Sequence, residues 1–132
     1  MTGRPGPEPL PASDLLVPAR ALAVYGTLAP GESNHHVVAA IDGRWVEGAV
    51  RGHRLEAHWR GMSGYPGFLP DPLGPLVEVL VLVSALLGRY WERLDDFEGP
   101  GYRRREVDVF DRFGAGSLGQ AFIYETLVEA VG

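Results

Sequence analysis

The chain has no cysteine and no lysine; all twelve of its basic residues are arginine. The first absence excludes thiol nucleophiles, disulfides and cysteine-based zinc or iron–sulfur centres. The second excludes Schiff-base chemistry and the lysine of a phosphate-binding loop. No apolar run is long enough to span a bilayer, and the N-terminus lacks the basic start and unbroken apolar centre of a signal peptide. The expectation is a cytoplasmic protein without a membrane partner. A formal net charge of −5 gives no overall field that would draw nucleic acid or an anionic surface. What the chain does have is eighteen Gly and eleven Pro in 132 residues. That composition points to one β-rich domain of short elements joined by turns. Residues 1–19 hold Pro5, Pro7, Pro9, Pro11 and Pro18 without any period. They are expected to form a flexible tail, ordered only where Leu15 to Val17 pack, with residues 20–128 as the folded domain.

The most informative stretch is Leu86 to Val109. With Ser84 to Phe97 helical, each side chain rotates by about 100°. Leu87, Trp91, Leu94 and Glu98 then form one narrow stripe, flanked by Tyr90 and Phe97. Of three acids within four positions, only Glu98 continues the apolar row; Asp96 lies opposite and Asp95 on the flank. Gly99, Pro100 and Gly101 end the helix there. A carboxyl at that place meets both desolvation and the negative pole of the helix, and both raise its pKa toward the range useful for proton transfer. The alternative is a solvated last-turn acid.

Ala21 to Tyr25 reads as a short buried strand, and Gly26-Thr27-Leu28-Ala29-Pro30-Gly31 as a tight loop leaving its end. Free amides in such a loop can hold a carboxylate or an oxyanion; the alternative is an ordinary turn. Ser33 is placed to cap a brief helix from Asn34 to Ile41. His35 and His36 point about 100° apart on it, which suits loop bracing and not a metal pair. Arg44 to Gly52 and His53 to Trp59 are expected as two strands, and Gly64 to Leu69 as a loop leading into a short one. Gly61-Met62-Ser63-Gly64-Tyr65 is not a hydrolase elbow, because Tyr65 stands where the second Gly must be. Leu76 to Val83 is so continuously aliphatic that it must be a central strand buried on both faces. Arg105 to Asp111 and Gln120 to Thr126 form a hairpin with a flexible loop. Gly114 to Gly119 matches a dinucleotide fingerprint only formally, since a strand pattern follows it. Val107 and Val109 share a face with Arg103 and Arg105. Tyr102 and Arg104 are therefore expected at a bulge or in a lead-in, either of which aims Tyr102 at Glu98.

Val24-Tyr25-Gly26-Thr27-Leu28, then Gly31, Asn34 and His35, then Leu94-Asp95, Glu98-Gly99, Tyr102, Arg104, Val107, Val109 and Tyr124 resemble the γ-glutamylcyclotransferase-like, or AIG2-like, family. The resemblance runs from about Ala21 to Thr126. It implies an α+β fold, a small mixed β-barrel with a few short helices and a cavity at one end. It also implies release of 5-oxoproline from a small-molecule γ-glutamyl amine, amino acid or peptide. The loop Tyr25, Gly26, Thr27 and Leu28 would bind the glutamyl part, largely through backbone groups, with Glu98 as general acid/base. No metal and no cofactor is implied. Tyr25, Tyr102 and Tyr124 are expected as pocket walls or hydrogen-bond donors, or else as core tyrosines with satisfied hydroxyls. The chain departs from the family pattern at Val79, where a Gly is usual, and at Arg54-Leu55, where Leu-Tyr follows the glycine. These departures leave open a member that binds without turnover; a protein whose acidic surface and Pro-rich tail dock a partner enzyme is the third possibility.

Overall fold

The structure is a computed structural model, described for residues 15–26, 28–32, 34–55 and 67–127. Strands β1 (Ala21–Val24), β2 (Arg44–Leu55), β3 (Gly67–Pro70), β4 (Leu76–Val83), β5 (Tyr102–Phe110) and β6 (Ser117–Thr126) carry most of the chain. Two helices join them, α1 (His36–Ala39) and α2 (Trp91–Glu98), with 3-10 turns at Pro18–Arg20 and Leu87–Arg89. The sheet order is β3-β2-β4-β1-β6-β5. A further β2–β5 pairing at Ala49 and Phe110 closes five strands into a barrel, and β3 rides on β2. β1 and β6 run parallel; the other pairs are antiparallel. The expected α+β small mixed barrel is the fold found.

Alternation of side chains along each strand divides the apolar residues between two cores. Ala21, Ala23, Val79, Val81, Val109, Ala121 and Ile123 fill the barrel interior with Val50 and Phe68. Leu22, Val24, Leu82 and Tyr124 point outward and are covered by Val38, Leu87, Trp91 and Leu94. β4 is therefore apolar at successive positions because it has a core on each side, and it pairs with β1 and β2 as a central strand must.

Four local expectations change. The helix is not continuous from Ser84. Ser84 is buried, its hydroxyl donates to the Asp42 carbonyl and accepts from the Leu86 amide, and a 3-10 turn precedes α2. In the shorter helix Phe97 is 41% exposed instead of flanking a buried stripe. β2 is one twelve-residue strand, not two interrupted at Gly52. Gly52 marks close backbone approach there: a Cβ on it would lie 2.4 Å from the Leu69 carbonyl oxygen of β3. β5 is regular from Tyr102 onward, its register shifting only at Val109/Phe110, so Tyr102 and Arg104 need neither bulge nor lead-in. They face outward beneath α2. Finally, the hairpin loop is organised. Asp111 Oδ1 accepts from the amides of Phe113 (2.9 Å) and Ala115 (3.1 Å), contacts that hold this carboxyl below its ordinary pKa. Thr27, Ser33, residues 56–59 of the expected second strand and the 61–65 segment lie outside the described residues.

The segment before β1 is tied in by Leu16. Its amide donates to the Leu118 carbonyl (2.8 Å) and its carbonyl accepts from Gln120 (3.0 Å), over Gly119 at φ 111°. Any side chain at position 119 would collide with the Leu16 backbone at 2.4 Å. Leu16 itself is buried with the interior cluster. Leu16→Ala should lower stability by about 2–4 kcal/mol, read as a lower urea midpoint at unchanged slope. A loss below about 0.5 kcal/mol would mean that the segment is not part of the cooperative unit.

Candidate active site

α2 is placed by its apolar row. Leu94 is fully buried and Trp91 nearly so, with the indole Nε1–H of Trp91 donating to the Ala19 carbonyl at 3.2 Å. One turn beyond Leu94 the row reaches Glu98, the last residue of the helix. Gly99 follows at φ 80°, ψ −174°, a conformation open essentially only to glycine. Its amide donates to the Asp95 carbonyl (3.0 Å) and its carbonyl accepts from Tyr102 (3.3 Å), so the chain turns at once into β5. Glu98 is thereby held at a helix end against the barrel. Burial raises its pKa from 4.5 to about 7. At neutral pH both protonation states are populated, the condition for taking and returning a proton.

Tyr25 and Tyr124 lie within electrostatic reach of this acid, and Tyr102 within reach of Tyr25. Tyr25, at the end of β1, stacks at a tilt on Phe68 (5.5 Å) and donates its hydroxyl to the Tyr124 carbonyl (2.8 Å). Burial, and then the charge of Glu98, push the Tyr25 phenol far above its ordinary range. Thr126, absent from the sequence-based candidates, bonds to that phenol and accepts the Phe68 amide at 3.0 Å. Tyr124 donates its phenol to Asp95 Oδ1 at 2.7 Å; burial first, then Asp95 and more weakly Glu98, raise it likewise. Tyr102 is half-buried in the outer core and also acts electrostatically on Tyr25. The structure thus brings Tyr25, Glu98, Tyr102 and Tyr124 into one neighbourhood.

The loop after Tyr25 turns tightly, the Ala29 amide donating to the Gly26 carbonyl (3.1 Å). Leu28 is buried, and its carbonyl is held by His35 Nδ1 at 2.9 Å. His35 braces this loop while His36 is exposed on α1. Thr27 lies outside the described residues. A depression of about 260 Å³ opens beside Tyr25, with Val79, Ala29, Glu47 and Arg112 in its wall. Val79 is also part of the interior core, so its side chain serves packing as well as the rim.

Asp95 and the arginine run of β5, which the sequence placed on a helix flank and on alternating strand faces, have specific partners. Arg104 forms a two-pronged pair with Asp95 (Nε to Oδ1 3.1 Å, Nη2 to Oδ2 3.2 Å), while its guanidinium lies 4.7 Å from the ring centres of both Trp91 and Phe122. Arg103 and Arg105 point the other way, onto buried Glu125. The signal for this was the strand parity of Arg104, together with Asp95 standing one helical turn before Glu98.

Residues 22–130 match the family described as gamma-glutamyl cyclotransferase, AIG2-like. The chain belongs to this family. No curated protein matches it significantly. Among solved structures, an AIG2-like protein from Mus musculus is 26% identical with a TM-score of 0.58, the match covering 84% of this chain and 79% of that one. An uncharacterized protein from Pyrococcus horikoshii is also 26% identical, at a TM-score of 0.58 over 86% and 82% of the two chains. YkqA from Bacillus subtilis shares the fold at 23% identity and a TM-score of 0.61; this chain covers 37% of its length. Among the described residues no helix is long and apolar enough to cross a membrane, and no three metal-binding side chains cluster.

The raised pKa of Glu98 has a stability consequence. Between about pH 4.5 and pH 7 the folded state holds a proton that the unfolded state has released, so stability falls as pH rises through that window. Glu98→Gln removes the dependence. The variant should be the more stable protein at pH 8, by on the order of 2 kcal/mol, with the advantage gone at pH 4. Equal pH dependence of the two melting temperatures would show that Glu98 titrates as an ordinary exposed acid.

Proposed function

We propose that the protein is a γ-glutamyl cyclotransferase-type enzyme, closing the glutamyl group of a small γ-glutamyl amine, amino acid or peptide into 5-oxoproline. The observation that carries this reading is Glu98. It is a desolvated carboxyl with a pKa of about 7, fixed beside Tyr25 at the mouth of the Gly26–Leu28 loop, in a chain of this family.

In the proposed reaction the carboxylate of Glu98 takes a proton from the α-ammonium of the substrate. The freed amine attacks the γ-carbonyl carbon of the same molecule, forming the ring C–N bond and a tetrahedral centre. As that centre collapses, the bond to the outer nitrogen breaks, protonated Glu98 gives its proton to the departing amine, and the second proton of the ring nitrogen passes to the same amine, which leaves as an ammonium. Proton and charge balance over the cycle, and Glu98 returns to its starting state. Because nucleophile and electrophile belong to one substrate, orientation supplies a large share of the rate. Recognition of the glutamyl end falls to backbone groups of the loop. The phenols of Tyr25 and Tyr124 already donate within the protein, so they serve as walls. Amides of the loop from Gly26 to Leu28 suit the α-carboxylate or the oxyanion of the tetrahedral centre.

A second reading is a member that binds a γ-glutamyl compound without turning it over. It draws on Val79, whose side chain stands in the wall beside Tyr25 where the family pattern has glycine. One experiment separates the two. Wild type and Glu98→Gln are incubated with a panel of γ-glutamyl amines, amino acids and dipeptides, and 5-oxoproline is measured. The enzyme reading predicts formation that drops about 10²–10⁴-fold in the variant. It also predicts a kcat/KM that climbs with pH through about 7, as Glu98 becomes the base. No product from any member of the panel, with a melting temperature still raised by one of them, would establish the binding reading instead.

A further inference from the structure

Tyr124 is used twice. Its main-chain carbonyl accepts the hydroxyl of Tyr25, where the Gly26–Leu28 loop begins (2.8 Å), and its phenol donates to Asp95 in the last turn of α2 (2.7 Å). Both halves of the candidate site, loop and acid, therefore hang on one residue of β6. On the helix side the same Asp95 carboxylate takes the fork of Arg104, whose guanidinium is boxed by Trp91 and Phe122. Asp95 precedes Glu98 by three positions, the spacing of neighbours on one face of a helix.

We propose that Asp95, Arg104 and Tyr124 form a positioning clamp that sets where the carboxyl of Glu98 stands relative to the Tyr25 loop. In this role they act through Glu98 and not on the reacting atoms; Tyr124 does so by its bond to Asp95, while its ring remains a wall. α2 is only eight residues long, and its sole further stop is Gly99. Left to itself, a helix that short frays, and fraying would carry Glu98 out of its apolar surroundings into water. The clamp fastens the turn that bears Glu98 to two adjacent strands. It does so without placing net charge near the acid, since Arg104 and Asp95 neutralise each other. Glu98 acts electrostatically on Tyr25, just after β1, and on Tyr124 of β6; Tyr102 of β5 and Arg54 of β2 act on the same Tyr25, and Asp95 and Arg104, paired with each other, on the same Tyr124. With the charges paired and the phenols neutral, burial is left to govern the acid, and burial is the cause found for its high pKa.

The clamp rests on the proposed reaction for its purpose but not for its test. The full chain, labelled with ¹³C at glutamate carboxyls, is titrated by NMR, the Glu98 signal being assigned by its loss in Glu98→Gln. Tyr124→Phe keeps the ring and the main-chain bond to Tyr25 but deletes the bond to Asp95. Arg104→Lys keeps the charge but loses the planar fork and its stacking. In each, the Glu98 midpoint should fall by about one pH unit or more as water reaches the carboxyl. In each, kcat should drop about tenfold with KM changed less than about twofold. Arg103→Gln, on the opposite face of β5, should move neither. Folded Tyr124→Phe and Arg104→Lys proteins with an unmoved Glu98 midpoint would overturn the clamp, as would an equal shift in Arg103→Gln. If Arg104→Lys fails to fold, Tyr124→Phe alone decides. A midpoint that moves as expected in a protein making no 5-oxoproline upholds the clamp and refutes only the reaction.

Discussion

The barrel has an apolar outside, and covering it is the constraint from which the site follows. β1, β4 and β6 carry Leu22, Val24, Leu82, Phe122 and Tyr124 on their outer face. Exposed together, they would form a patch of the kind that monomeric proteins bury or use for association. α1 and α2 with their flanking turns provide the cover. α2 has only Trp91 and Leu94, following Leu87 of the 3-10 turn before it, in which to do so, and the next position of that row is Glu98. The acid thus inherits its place from a packing requirement. Its surroundings at the start of β5 and the end of β1 are settled by where the strands must end to close the barrel.

Two acids one turn apart on α2 show how environment divides roles among identical chemistry. Asp95 lies on the flank, where β5 offers Arg104 and β6 offers a phenol, and it accepts from both. Glu98 lies on the row itself, near the buried phenols of Tyr25 and Tyr124, and among the described residues it forms no ion pair. A carboxylate with donors around it is a cross-link; one without them holds its proton to near neutrality. Exchanging the two residue types would not exchange the roles, because the difference resides in what β5 and β6 present to each position.

Much of this was legible from residue patterns alone. β4 was fixed to the residue by its aliphatic run, and Glu98 was singled out from three acids by helical phase. Val24 to Leu28 and Leu94 to Arg104 together pointed to the family. Misreadings arose where a local signal had two physical causes. Gly52 looked like the end of a strand, yet it lies within one and lets the backbone of β3 approach. Gly114 to Gly119 looked like a slack loop, yet Asp111 folds it around its own carboxylate. Tyr102 and Arg104 looked out of phase with Val107 and Val109 because a two-sided strand was read as one-sided. In each case the deciding partner lies far away in sequence, on another strand or across a turn. The pairing of Arg104 with Asp95 is the strongest instance, since either residue alone reads as a solvated charge.

The arrangement also constrains what specificity can rest on. Tyr25 and Tyr124 are the obvious polar side chains near Glu98, yet their hydroxyls hold the walls together, and burial keeps both neutral. Under the proposed reaction, discrimination of the glutamyl end would fall to main-chain groups of the loop after Tyr25, where His35 braces the Leu28 carbonyl. Main-chain recognition reads shape and charge at the α-carbon and is indifferent to what leaves from the far side. In the proposed enzyme, variation in the leaving amine would be read outside that loop; the depression with Val79, Glu47 and Arg112 in its wall adjoins the loop at Tyr25 and Ala29 and does not include Glu98. With the acid and the main-chain loop set by the barrel's own packing and variation left to the rim, the proposed chemistry would survive a change in the choice of amine.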